Sequence, residues 1–331
     1  EKYCRSIATP GEEQVLRVMT EFSLTERDYC RRIRDRILQV GYHVFDGVIT
    51  PELLVNGSID DSYILGIGDE LVISFEGREA NSITIWIDRE GRITHKDIGR
   101  IRAAGKTFGA FREELKREIE RTKIGTKVFV SMGSVRQISI RVTGEVRKPG
   151  LHLATGLSSV FDAISLAGGV KKTGSLRRIQ VRRGNRIFWL DAYELMYSHF
   201  GGQNLDLRDG DHILVPAIGS TIAVSGDVKR PGIFELSEGQ KSISVVEALM
   251  LAGGYIRSKG NLLQKLSFDQ AGRENISEIG KSDLVIGDSD ILVVNRRNNS
   301  RTGIVSIVGH VTSPGIKAIS SHPTISSLLR N

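Results

Sequence analysis

The chain has 331 residues, 40% hydrophobic and 26% charged; this is ordinary for globular protein and leaves room for two to four domains, each with its own core. Lys and Arg number 46 against 39 Asp and Glu, a formal net charge of +7, which favours an acidic partner such as nucleic acid, an anionic lipid surface or an anionic polymer. No apolar run approaches the ~20 residues of a membrane-spanning helix, and two cysteines, Cys4 and Cys30, are too few for a disulfide framework or a cysteine-rich zinc site.

Residues 1–60 read as a helical N-terminal region. Thr25 and Asp28 have the spacing of a capping box, and Tyr29, Ile33, Ile37 and Val40 fall on one face, with Gly41 as the stop. The arginines around that face, from Arg27 to Arg36, are read first as a solvated surface. Cys4 and Cys30 are expected to be free thiols, although an oxidising compartment would allow them to pair. No signal peptide precedes Glu1, so any targeting segment is expected to lie outside this sequence.

From residue 61 to about 134 the period changes to two. Glu70–Phe75 and Ser82–Ile87 alternate β-branched and aromatic residues, Asp88–Gly91 makes a turn, and a short strand follows at Arg92–Thr94. A helix is predicted from about Thr107 to Thr122, with Phe108, Phe111, Leu115 and Ile119 on its buried stripe and Gly125 closing it, and Lys127–Val130 returns to strand.

Beyond residue 134 the chain repeats. Ile138–Gly150, Thr221–Gly232 and Ile304–Gly315 share the pattern Gly-x-Val-x-x-Pro-Gly, on Gly144, Pro149 and Gly150, on Gly226, Pro231 and Gly232, and on Gly309, Pro314 and Gly315. The prolines are 82 and then 83 residues apart, too long for a solenoid unit and enough for a small domain. Each unit should run from a strand ending at Val146 or Val228, through a turn with Gly150 or Gly232 in the left-handed region, to a short helix. The helices are capped by Ser159 with Asp162 or Ser244 with Glu247, and end at Gly168-Gly169 or Gly253-Gly254. Acidic turns, Asp209-Gly-Asp211 and Asp288-Ser-Asp290, then lead into a last strand. The fold class is therefore α+β and multidomain, each repeat packing a helix on a small mixed sheet. The boundaries are 1–60, 61–134, 135–216 and 217–298, with a third, truncated repeat at 303–331. That repeat stops inside its helix, so the native protein is expected to continue past Asn331.

Tyr63-Ile-Leu-Gly66-Ile-Gly68-Asp69, then Asp88-Arg-Glu-Gly91, then Ile98-Gly99, resembles a polysaccharide export domain, and the repeats resemble the soluble-ligand-binding β-grasp (SLBB) domain. That order, covering roughly residues 60–331, is similar to the Wza-type outer-membrane exporters of capsule and exopolysaccharide. One departure is His95-Lys96-Asp97, where that family usually has an apolar residue and proline; it bears on the geometry of one turn. The resemblance implies a ring of identical subunits stacked into a periplasmic column, with polysaccharide passing through the lumen. It also implies inner-membrane copolymerase and synthesis machinery as partners, and a membrane-spanning helix C-terminal to the repeats. The motif glycines and prolines, with Tyr63 and Asp69, would then be structural.

Nothing in the pattern argues for catalysis, a metal or a cofactor. The acidic pairs occupy equivalent places in two repeats and read as turns. Gly66-Ile-Gly68-Asp69 lacks the third glycine or the Gly-Lys-Ser/Thr of a phosphate cradle. His43, His95, His152, His199, His212, His310 and His322 have no metal-ligand spacing. Arg177, Arg178, Arg182, Arg183 and Arg186 surround a predicted hairpin turning at Gly184-Asn185; they could contact an acidic glycan or a neighbouring subunit, or simply be exposed. Aromatics, at 6%, are not interleaved with basic residues as single-stranded nucleic acid would require. A monomeric ligand-binding protein is the second reading, and a glycan-processing enzyme on Asp211 and Asp290 the third.

Overall fold

The computed structural model describes residues 22–45, 59–76, 81–122, 125–197, 205–280, 285–297, 303–310, 314–321 and 324–329; Cys4, His199 and His322 lie outside them. The chain divides into two compact units. One comprises Glu1–Ala223, Gly232–Ile243 and Gly287–Ser289, and the other Val224–Pro231, Ser244–Ile286 and Asp290–Asn331.

In the first unit, helix α1 (Leu24–Ile33) begins two residues earlier than predicted. Its cap is Ser23, in a reciprocal box with Glu26, and not Thr25 with Asp28. Both pairs fit the capping pattern, and long-range bonds decide between them. Glu26 is fully buried and also accepts from the Gln39 amide (2.9 Å) and the Lys172 ammonium (2.7 Å), partners remote in sequence. The helix ends where Arg34 turns left-handed (φ 57°), short of Ile37 and Val40. Gln39 instead forms a parallel bridge to Ile233, flanked by Val40 N–H to Ile233 O (3.0 Å) and Ile233 N–H to Leu38 O (2.9 Å). Not all the arginines are solvated either: the Arg32 side chain is 3% exposed and donates to Ser289 O. Cys30 is buried, its thiol against the backbone of Ile37.

Strands β1 (Glu70–Glu76), β2 (Asn81–Trp86), β3 (Arg92–His95) and β4 (Gly99–Arg102), helix α2 (Phe108–Thr122) and β5 (Lys127–Met132) form the next region. The sheet order is β2-β1-β5, antiparallel throughout, with β3-β4 a separate hairpin. The predicted stripe of α2 is the one buried, Phe111 and Leu115 completely, against Leu71, Ile73 and Val128. Each such side chain contributes about 1.5–3 kcal/mol relative to exposure.

The first repeat contains β6 (Gln137–Gly144), β7 (Gly150–Thr155), α3 (Val160–Leu166), β8 (Ile179–Arg183), β9 (Arg186–Leu190), α4 (Ala192–Tyr197) and β10 (His212–Val215). Its sheet runs β7-β6-β10-β8-β9, with β10 parallel to β6 and every other pair antiparallel, the mixed sheet expected. The second repeat contains β11 (Thr221–Gly226), β12 (Gly232–Glu235), β13 (Ser242–Ser244), α5 (Val245–Leu251), β14 (Asn261–Phe268), β15 (Glu274–Glu278), β16 (Val285–Gly287) and β17 (Ile291–Arg296). Its sheet order, β12-β11-β17-β14-β15, is the same connectivity. Both helices carry the capping boxes read from sequence, Ser159/Asp162 and Ser244/Glu247. In the third repeat, β18 (Ile304–Ile307) pairs with β19 (Gly315–Ala318), and α6 (Ile325–Leu329) follows.

The turn between the first two strands of the first two repeats differs in part from the prediction. The strands end at Gly144 and Gly226; Val146 and Val228 form isolated bridges to Val170 and Tyr255. Gly144 (φ 86°) and Gly226 (φ 90°) are left-handed; of the two glycines after proline, which open the next strands, Gly150 has the expected positive φ (149°) and Gly232 does not. A Cβ on Gly144 would lie 2.0 Å from Val215 O, and one on Gly226 2.1 Å from Val294 O. Glycine is required there because the first and last strands of the repeat converge on it.

Candidate functional site

The motif residues divide into two structural joints and one exposed face. The first joint is Tyr63–Asp69, where Gly68 (φ 90°) sets the turn into β1. The Asp69 carboxylate is completely buried. It accepts from Gly66 N–H (2.7 Å), Arg136 N–H (2.9 Å), the Tyr63 hydroxyl (2.9 Å) and Arg136 Nη1 (2.7 Å). The Arg136 guanidinium stacks over the Tyr63 ring at 5.5 Å, and burial, then the Asp69 charge, push the Tyr63 phenol well above its ordinary pKa. Gly91 and Gly99 flank the β3-β4 hairpin. Arg136 stands apart from the motifs in sequence, and only the fold brings it to Asp69, 67 residues away.

The second joint recurs. Arg147 N–H donates to Gly169 O and Lys148 N–H to Ala167 O, just as Lys229 N–H donates to Gly254 O and Arg230 N–H to Ala252 O. The Pro-Gly and Ala-Gly-Gly motifs are thus two halves of one contact, with Gly168, Gly169, Gly253 and Gly254 left-handed at the helix end. Gly309, Pro314 and Gly315 surround the β18-β19 turn.

The acidic pairs are spent on structure. Asp211 is buried, receives Arg183 through two nitrogens (2.8 and 2.6 Å) and caps Arg208 N–H. Asp209 accepts from Ser139 N–H and Asp288 from Thr221 N–H, while Asp290 pairs with Lys265 at 2.8 Å. Among the described residues no three His, Cys, Asp or Glu side chains gather as metal ligands would.

The five hairpin arginines separate by role. Arg177 binds Asp191 (2.9 Å) and stacks on Tyr193, Arg178 reaches Ala217 O and Glu235, and Arg183 binds Asp211. Arg186 lies against the Phe188 ring. Arg182 is exposed and, among the described residues, its guanidinium donates to its own turn at Gly184 O. The register places it on the outer face of the sheet, in the cross-strand row Leu151–Arg141–His212–Arg182–Ile187, beside a second row Thr143–Leu214–Gln180–Trp189. Leu151, Leu153, Ile187 and Trp189 are all more than half exposed there. Sequence reading did not single out Arg141 and Trp189; the alternation of Ile138-Ser-Ile-Arg-Val already put Arg141 opposite the core side. A separate cleft of about 740 Å³ is bordered by Tyr63, Arg136, Arg183, Asp206 and Arg208.

Comparison with known proteins identifies the domains. Residues 58–133 match the polysaccharide biosynthesis/export protein family, and residues 139–194 and 221–271 match the SLBB domain. The polysialic acid transport protein KpsD of Escherichia coli is 29% identical over 211 residues, 60% of this chain and 37% of that protein. The EPS I polysaccharide export outer membrane protein EpsA of Ralstonia solanacearum is 34% identical over 167 residues, 50% of this chain and 44% of that protein. The capsule polysaccharide export protein BexD of Haemophilus influenzae is 24% identical over 194 residues, 57% and 48% of the two chains. The chain therefore spans less than half the length of these relatives. A polysaccharide biosynthesis/export domain followed by SLBB repeats, together with these relatives, supports a polysaccharide export outer-membrane protein of the Wza type.

Proposed function

We propose that this chain is the periplasmic part of an oligomeric outer-membrane channel, a non-catalytic conduit for capsular polysaccharide or exopolysaccharide. The observation that carries the reading is the ordered succession of export domain and SLBB repeats, supported by similarity to proteins named for polysaccharide transport and export. The acidic pairs support it, since Asp211 and Asp290 are engaged by Arg183 and Lys265 and a conduit calls for weak, distributed contacts with its cargo. Identical subunits would close into a ring through heterologous contacts, with the inner-membrane synthesis machinery delivering the polymer. Native mass and electron microscopy of the full-length protein in detergent test this: closed rings are expected, and a strict monomer at working concentration refutes it.

The cleft beside Arg136 favours one other reading, a monomeric protein that captures a small soluble ligand. A one-to-one titration with a small sugar, abolished by Arg208→Ala in a monomeric protein, would establish it in place of the channel.

A further inference from the structure

We propose that the outer face of the first β-grasp sheet is a shallow platform for a carboxylated polysaccharide, gripped by Arg141 and Arg182 and stacked on Trp189. This rests on the export reading and names the cargo chemistry that the face would accept.

Three observations converge. The first is charge. None of the five strands β6 to β10 contains an Asp or Glu, while Arg141, His212 and Arg182 form one unbroken cross-strand row. Arg177, Arg178 and Arg183 each have a carboxylate within 4 Å; Arg141 and Arg182 have none among the described residues, so their charge faces outward uncompensated. They stand two strands apart, about 10 Å, a separation that an extended polymer of acidic sugars can bridge.

The second is shape and polarity. Trp189 is 53% exposed and lies directly across from Gln180, offering a flat apolar ring to the C–H face of a pyranose with an amide alongside. His212 is fixed in the same row by its Nε2 contact to the Thr143 hydroxyl (2.8 Å). A flat surface with such groups holds a sugar chain without enclosing it, as a moving cargo requires.

The third is the comparison of the repeats. Aligning Gly144 with Gly226 and Asp211 with Asp290 places Ala223 where Arg141 is and Ile291 where His212 is, and both are completely buried. The same fold is therefore built without these basic groups, so the β-grasp topology does not require them.

Titration of the Trp86→Phe chain, in which Trp189 is the remaining tryptophan, provides the test. The probe is an oligouronate prepared from alginate, compared with a malto-oligosaccharide of equal length. Saturable change in Trp189 emission is expected with the oligouronate alone. Arg141→Gln with Arg182→Gln should weaken binding by about tenfold, within the roughly 25-fold that two exposed charge contacts of up to about fivefold each allow. Arg117→Gln with Arg121→Gln removes the same charge from the exposed side of α2 and should change affinity less than about twofold if binding is local. Equal response to both sugars, or equal loss in both double variants, overturns the platform. Native mass of the full-length protein separates the two proposals: rings without oligouronate preference refute the platform alone, and a monomer that still discriminates refutes the channel alone.

Discussion

Replacing Asp69 with Asn should unfold the export domain at much lower denaturant, because that carboxylate is the only charge in a completely buried position of the Tyr63 joint. It accepts from four donor groups, the Gly66 N–H, the Tyr63 hydroxyl and both the backbone and the guanidinium of Arg136. Asparagine keeps the shape but turns one acceptor into a donor aimed at other donors, and leaves the Arg136 guanidinium, 20% exposed, without its counter-charge. Breaking one side of a buried pair costs about 3–5 kcal/mol, and with a urea slope of about 1 kcal/mol/M for a unit this small the midpoint should fall by roughly 3–5 M. Trp86 sits across from Glu70, the neighbour of Asp69, so a Trp189→Phe background makes tryptophan emission report this domain. The control is Asp61→Asn, which removes an exposed pair with Arg112 (2.7 Å, Asp61 59% exposed) and should cost less than about 1 kcal/mol. Equal midpoints for the two variants would refute the reasoning that burial makes Asp69 indispensable.

Gly144→Ala should destabilise the first repeat by about 3–5 kcal/mol, since left-handed strain of about 1–2 kcal/mol is joined by a collision with Val215 O. Gly99→Ala, with the same sign of φ and nothing within 4 Å, should cost the strain alone; Trp189 and Trp86 emission during urea unfolding compare the two, and equal losses would show that close approach is unimportant. Glu70 is held below its ordinary pKa by the Ser134 hydroxyl and then the Ser134 amide. Its depressed folded pKa means that its contribution is complete above about pH 5 and disappears as pH falls through the folded value. Glu70→Gln should accordingly flatten the acid side of the Trp86-monitored urea midpoint between about pH 5 and pH 2, and an unchanged acid slope would contradict it.

Much of this protein is local in origin and therefore legible in one dimension. The α2 stripe of Phe108, Phe111, Leu115 and Ile119 follows from helical spacing, and the boxes at Ser159 and Ser244 from residues three apart. The repeat also placed the acidic turns Asp209–Asp211 and Asp288–Asp290 at equivalent positions, which is why they read as turns. The order of export domain and β-grasp repeats was legible too, because it rests on short motifs whose residues and spacing resemble known domains, even though several of those motifs are held in place by distant partners.

Tertiary structure decided whatever depends on partners far apart in the chain. Ser23 displaced Thr25 as the cap because Glu26 is held by Gln39 and Lys172, and Leu38–Val40 left the helix to pair with Ile233. Gly144 proved indispensable through Val215, 71 positions later. The hairpin arginines, alike as letters, became three internal ties, one ring contact and one exposed cation, since the carboxylates of Asp191, Asp211 and Glu235 reach them only once the sheet is assembled. That selection, together with the strand register that lines up Arg141, His212 and Arg182, is what turns a basic sequence into a particular basic surface.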